Sequence, residues 1–456
     1  MYKKQQEIKQ KVCHNRDNSE KEASMKLEQI KEEIIKTIEE HKEQIIAIGQ
    51  KVQEHPEPGY CEQVTSALVR KELDALGIGY EYPLAVTGVK GRLYGKEHVS
   101  NVCVIGEMDC IKCAANPMAD KNGNAHACGH HAQIAALIGA AIGLGKSGVM
   151  EQLDGDVTLM AVPAEEFIEL DARKKMKDAG KIMYFGGKQQ LIAEGAFDDV
   201  DMAMMLHAQP NEPEAKLYVQ GHNLGFLSKK LTFHGKAVHG STPFDGVNAL
   251  NAAALAILGV HANRETFREE DRIRIHPIIT KGGDVVNAVP DEVVIETYVR
   301  GATHQAIAKG DAAVERAAYG AASMVGARVS VENLPGYLPL KESSRLSEVM
   351  EENAAYLLGE EALVYGKEIT GSTDMGDLSS ILPVIQPSVG GFQGVLHSQE
   401  FCVAQEETAY VTAAKLLALT AAELLYDHAA KAVQVSKEFE APMTKEAYLN
   451  YLAGEK

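Results

Sequence analysis

Apolar positions mark the elements of this chain before any other property does. Leu27, Ile30, Ile34, Ile38, Ile45 and Ile48 form one stripe at helical spacing through a charged background, which predicts a single helix over 25–48 packed on a core. Three short β-rich runs follow, each ending in polar residues. Asn101 to Gly106 runs into Glu107-Met108-Asp109, Val157 to Val162 into Pro163-Ala164-Glu165-Glu166, and Met202 to Leu206 into His207. A small-residue helix, Gln133 to Leu144, lies between the first two. Strands alternating with helices predict a mixed, mostly parallel sheet flanked by helices, an α/β fold. Ligands in such sheets bind beyond the carboxyl ends of the strands, where the reactive residue types here collect.

A second pattern begins near Leu224. It reads strand (Leu227–His234), helix (Val247–Val260), strand (Arg272–Ile279), strand (Val293–Arg300), helix (Gln305–Met324), strand (Arg328–Glu332), which is the ferredoxin-like order. Pro335-Gly336 closes it as a linker, and helices and short strands then resume. The expected organisation is a catalytic domain in two parts, 25–223 and 337–456, with an α+β domain inserted at 224–336. The first 24 residues are polar and expected to be mobile, and Met25 could be the natural start.

At 456 residues and 45% hydrophobic, the chain suits two or three domains with a substantial core. The formal charge of −18, with no Lys/Arg-rich run, argues against nucleic acid and anionic membranes as partners. No uninterrupted apolar run reaches membrane-spanning length, and the N-terminus lacks a secretory pattern; the expected location is cytoplasmic. Seven cysteines, an odd number in a long chain, suit metal binding or burial better than a disulfide framework.

The chemistry centres on His126-Ala127-Cys128-Gly129-His130-His131. A thiolate and an imidazole two positions apart suit one metal; taken alone, the pair equally suits a buried cysteine beside a capping histidine. Glu165-Glu166 could divide metal binding from proton transfer or form a solvated turn. His207 and His397 each have an ordinary structural reading when taken singly. Together Cys128, His130, Glu166, His207 and His397 supply sulfur, nitrogen and oxygen donors from four loops, a set for two metals sharing one ligand. Cys110-Ile111-Lys112-Cys113 reads as a reduced loop near the site mouth, since no second such pair completes a zinc ribbon. His55-Pro56-Glu57 could line the cleft or cap a helix. His239, in a tight turn, Asn287, in a turn before a strand, and Arg300, at that strand's end, could hold an oxyanion and a substrate carboxylate.

These segments resemble the M20 peptidase family in its amidohydrolase branch of aminoacylase-like enzymes, auxin-conjugate hydrolases and p-aminobenzoyl-glutamate hydrolase subunits. The matching stretches, in family order, include HPEPGYCE from His55, GEMDC from Gly106, HACGHHAQIAAL from His126, VPAEE from Val162 and LHAQP from Leu206. FHGKAVHGSTPFDGVNAL from Phe233, GGDVVNAVPDE from Gly282 and GSTDMGD from Gly371 continue the series. The resemblance implies a zinc-peptidase-like catalytic domain with an inserted lid and dimerisation domain, hence a homodimer. It implies that Cys128 bridges two divalent ions, with His130 and His207 completing one set and Glu166 and His397 the other. Glu165 would be the general base, and Asp109 would orient a ligand. His239, helped by Asn287, would stabilise the oxyanion from the neighbouring subunit, and Arg300 would clamp a carboxylate. Thiolate and imidazole donors suit zinc, with manganese, cobalt and nickel as alternatives. The implied activity is hydrolysis of a small N-acyl amino acid or aroyl-glutamate-like amide; the alternatives are a dipeptidase or deacetylase of the same fold, or a catalytically silent small-molecule-binding protein. Two features depart from the branch: His131 stands where it has Asp, and the Lys-rich stretch from Arg173 to Lys181 is an insertion expected to shape the substrate mouth.

Overall fold

The computed structural model describes residues 25–219, 223–366 and 371–454; the expectation for the first 24 residues lies outside them. A six-stranded sheet forms the centre. Its order is Tyr80–Leu84, Gly88–Leu93, Asp156–Val162, Asn101–Glu107, Met202–Met204, Val384–Ile385. The first two pairings are antiparallel and the remaining three parallel, so the sheet is mixed and mostly parallel. Asn101–Glu107 and Asp156–Val162 are buried at every position, which explains their uninterrupted apolar runs.

The helix His130–Lys146 is buried from His130 through Leu144. Two glycines let its neighbours approach: a Cβ on Gly139 would stand 2.6 Å from Ala414 Cβ, and one on Gly143 would stand 2.7 Å from Ile38. The expected single helix over 25–48 is two, Leu27–Glu40 and Lys42–Gln53. His41 breaks it; its Nδ1 lies 2.8 Å from the Thr37 carbonyl, competing with the backbone for that acceptor. Both halves keep the stripe buried, including Ile30, Ile34, Ile38, Ile45 and Ile48. The stretch Glu407–Glu438 is long and apolar enough to span a bilayer, yet its apolar window is wholly buried inside the protein, as a core helix is.

Residues Gly225 to Pro335 build a separate antiparallel sheet with two helices, Ala249–Ala262 and His304–Met324, over one face. Its main order is Arg274–Ile275, Glu292–Gly301, Gly225–His234, Arg328–Pro335, the ferredoxin-like arrangement. The expected strand Arg272–Ile279 is two short ones, Arg274–Ile275 and Ile278–Lys281, both paired to Glu292–Gly301. Pro277 stands between them and has no N–H for the ladder. The expected strand Met202–Leu206 is shorter, Met202–Met204 in the central sheet, and beyond it His207–Ala208 pairs with Ser388–Val389 in a small four-stranded sheet.

Candidate functional site

The strand ends deliver the reactive side chains to one place. Cys128 precedes the buried helix by way of Gly129, whose φ of 87° lies in the left-handed region. Glu165 and Glu166 follow the strand Asp156–Val162 through Ala164, itself left-handed at φ 54°. That turn is held from both sides: Ala164 N donates to Glu62 Oε1 at 2.8 Å, and Gly187 N donates to the Ala164 carbonyl at 3.0 Å. His397 also sits in the left-handed region, at φ 63°, and its N–H donates to the Ala127 carbonyl at 2.8 Å. Strain of this kind in non-glycine residues collects at functional sites.

Two donor groups share Cys128. Cys128, His130 and His207 form one, and Cys128, Glu166 and His397 the other; within each, the donor atoms lie within 4.8 Å of one another. Cys128 Sγ is 3.6 Å from His207 Nε2 and 3.2 Å from His397 Nε2, and His397 Nε2 is 3.0 Å from Glu166 Oε1. Tautomers follow from the partners. His130 Nδ1 is 2.9 Å from the Asp109 carbonyl and His207 Nδ1 is 3.1 Å from that of Ala208. A carbonyl only accepts, so each Nδ1 carries the proton and each Nε2 turns a lone pair toward the site. Asp109 secures two parts at once: Oδ1 lies 3.2 Å from His130 Nδ1, and Oδ2 accepts from Glu166 N at 3.0 Å.

The electrostatics call for positive charge. Burial raises the Cys128 thiol, but the imidazoles of His130 and His207 outweigh it and hold the group well below the usual thiol range. Burial, then Glu107 and Glu166, push Glu165 well above the usual carboxylate range. Burial and Cys128 push Glu166 up to about 7. Contacts with Cys128 and Glu166 push His397 up to about 11. Carboxylates and imidazole alike are driven to take up protons, which is how a cation site behaves before the cation competes for the same donors. His130 Nε2 and Glu166 Oε1 are buried at the site, the first facing the Glu107 carboxylate at 3.2 Å and the second His397 Nε2 at 3.0 Å. The donor set therefore fits divalent metal ions.

A cleft of about 660 Å³ opens over these groups. Cys128, Glu165, Glu166, His207 and His397 form one wall, and Arg300 stands in the lining. Phe226 and Tyr298 flank the Arg300 guanidinium at 5.3 and 5.5 Å, and its Nη1 donates to Ser372 Oγ at 2.7 Å. Phe167, Phe226 and Tyr337 pack edge to face at 5.3–5.4 Å and give the cleft an aromatic side.

Other candidates fall elsewhere. His239 and Asn287 are neighbours, since Gly240 N donates to the Asn287 carbonyl at 2.7 Å, but both are exposed on the inserted domain and neither lines the cleft. His131 joins neither donor group; it is buried beside His126 and Tyr410, with burial holding it down to about 3. Arg173 is buried against Tyr60 and the Phe185 carbonyl, and no residue from Arg173 to Lys181 lines the cleft, whereas Phe167 and Ile168 do. Glu57 caps a helix by accepting from Val64 N and Thr65 N. Cys110 and Cys113 are free thiols. Glu107, Lys188, Ser372 and Asp374 were given no role from sequence: Glu107, Ser372 and Asp374 fall in family-like stretches without a donor pattern of their own, and only the fold sets Lys188 against Glu107 and Asp374.

Comparison with known proteins fits this geometry. The M20 peptidase dimerisation domain matches residues 222–321. An IAA-amino acid hydrolase ILR1-like protein of Arabidopsis thaliana is 27% identical over 74% of this chain and 75% of its own length. A Xaa-Arg dipeptidase of Mus musculus is 28% identical over 72% and 73% respectively. The crystal structure of a Bacillus subtilis protein described as a dinuclear metal binding peptidase from the M20 family superposes with a TM-score of 0.68. It is 22% identical, covering 84% of this chain and 98% of that one. The chain thus carries the M20 dimerisation domain and is similar to hydrolases and peptidases over most of its length. The matched residues take in most of the sheet of Gly225 to Pro335, and the cleft is lined by residues of that sheet and of the rest of the chain.

Proposed function

We propose that this protein is an M20 metal-dependent amidohydrolase that cleaves the amide of a small N-acyl amino acid or aroyl-glutamate-like substrate. The observation that carries the reading is the pair of donor groups sharing Cys128, with Glu165 beside them and Arg300 in the same cleft. Ions held there would supply Lewis acidity for the scissile carbonyl and make water nucleophilic near neutral pH. Zinc suits the thiolate and imidazole donors best, with manganese, cobalt and nickel as alternatives.

The residues divide the work. Glu165, whose Oε2 lies 3.9 Å from His130 Nε2, takes the proton from the attacking water and passes it to the leaving amine. Arg300, held by Ser372 and two aromatic rings, receives the substrate carboxylate, and the aromatic side of the cleft receives a planar or apolar acyl group. His239 and Asn287, remote from their own chain's cleft, serve the oxyanion of the partner subunit in a homodimer formed through the inserted domain. Free thiols among the described cysteines suit a reducing compartment, the cytoplasm.

Amine release from a panel of N-acyl amino acids, p-aminobenzoyl-glutamate and dipeptides tests the reading. Release from an acylated amino acid by metal-loaded protein, abolished by chelation, is expected. Release from dipeptides alone would make the protein a dipeptidase, and no release from any member would leave a silent binding protein.

A further inference from the structure

Behind the donor groups lies a second set of charged side chains. Glu107, Lys188 and Asp374 are each 0% exposed. One Glu107 oxygen accepts from Lys188 Nζ at 2.5 Å. The other accepts from Gln133 Nε2 at 3.0 Å and stands 3.2 Å from His130 Nε2. Lys188 Nζ also donates to Asp374 Oδ1, and the Lys188 backbone N–H donates to Asp374 Oδ2 at 3.0 Å. Asp374 follows Ser372 and Thr373, which line the cleft, and Ser372 Oγ accepts from Arg300. A line of contacts thus runs from His130 through Glu107, Lys188 and the Asp374 segment to Arg300, joining one wall of the cleft to the other.

A buried ion pair adds little stability over an apolar core of the same shape, so this one calls for a positional explanation. Both segments that Lys188 joins are already pressed onto backbone. A Cβ on Gly187 would stand 1.6 Å from the Pro163 carbonyl oxygen, just before the Glu165 turn. One on Gly376 would stand 1.8 Å from the Leu338 carbonyl oxygen, in the chain leaving the inserted domain. Lys188 is the charged pin between two surfaces that have no room to slide.

We infer that Lys188 is a positioning residue: it holds the Asp374 segment, and through Ser372 the Arg300 guanidinium, in register with His130. The inference rests on the reading of Arg300 as carboxylate clamp. It makes Lys188 a determinant of the distance between the reacting amide and the carboxylate that the protein accepts.

Lys188→Met would strand two buried carboxylates and risk the fold. The double variant Lys188→Gln/Asp374→Asn keeps the net charge of the trio, and Ser372→Ala disturbs no buried charge. Metal content and the kinetics of an N-acyl amino acid and its carboxamide are measured on the same samples. The acid-to-carboxamide ratio of kcat/KM is expected to fall about tenfold in each, through KM of the acid, at unchanged metal content. Combining the three substitutions should cost no more than the larger single effect, because they interrupt one line. Lys188→Arg, which keeps charge and fold while lengthening the pin, should also raise the acid's KM. An unchanged ratio in Lys188→Arg, multiplicative effects in the triple variant, or loss of metal from the double variant would each overturn the link to Arg300. Wild-type protein that binds metal and hydrolyses the acid while Arg300→Ala keeps its preference for it would instead overturn the clamp reading on which the link depends.

Discussion

Glu165 is the carboxylate proposed for proton transfer. It is buried, its backbone carbonyl accepts from Tyr337 Oη, and its neighbours Glu107 and Glu166 raise its proton affinity. Glu165→Gln keeps the shape and removes the proton acceptor; turnover should fall at least ~100-fold with metal content unchanged. Near-normal turnover would move the base elsewhere. Arg300→Ala tests the other wall: substrates with a free carboxylate should lose about 2 kcal/mol of binding while carboxylate-free amides are spared. Equal losses for both would make Arg300 structural, a support between Phe226 and Tyr298. The donors were legible in the sequence because their residue types are rare in apolar strand ends and fall in recognisable motifs. Lys188 was not, because only the fold sets it against Glu107 and Asp374.

At the scale of elements, hydrophobic patterning located the central strands and the buried helix well, since burial on both faces leaves a continuous apolar run. It failed where a local competitor acted. His41 diverts the Thr37 carbonyl and divides one stripe between two helices, and Pro277 interrupts a ladder. Neither event changes the apolar periodicity, so neither is visible in it. The helix Gly187–Glu194 carries the sharpest element-level expectation. A methyl group on Gly187 must displace the Pro163 carbonyl and with it the turn holding Glu165 and Glu166. Gly187→Ala should cost at least about 2 kcal/mol in thermal unfolding and lower kcat in the folded fraction. Unchanged stability and rate would show that this contact relaxes without consequence.

At the scale of the whole molecule, the cleft has two walls from different parts of the chain, and His239 stands on neither. On the proposed reading, His239 serves the cleft of a partner subunit. His239→Ala and Glu165→Gln should each be nearly inactive alone, and mixing them with subunit exchange should restore up to roughly a quarter of wild-type activity, the yield of one complete site in half of the dimers. Exchange verified by mass spectrometry without recovery would return His239 to its own chain or remove it from catalysis. The account as a whole depends on one atom, the Cys128 sulfur shared by both donor groups. Elemental analysis of metal-loaded wild type and Cys128→Ala tests it most directly. Two ions per wild-type chain, both lost together in the variant, are expected; no metal in the wild type, or one ion kept by the variant, would contradict the shared site.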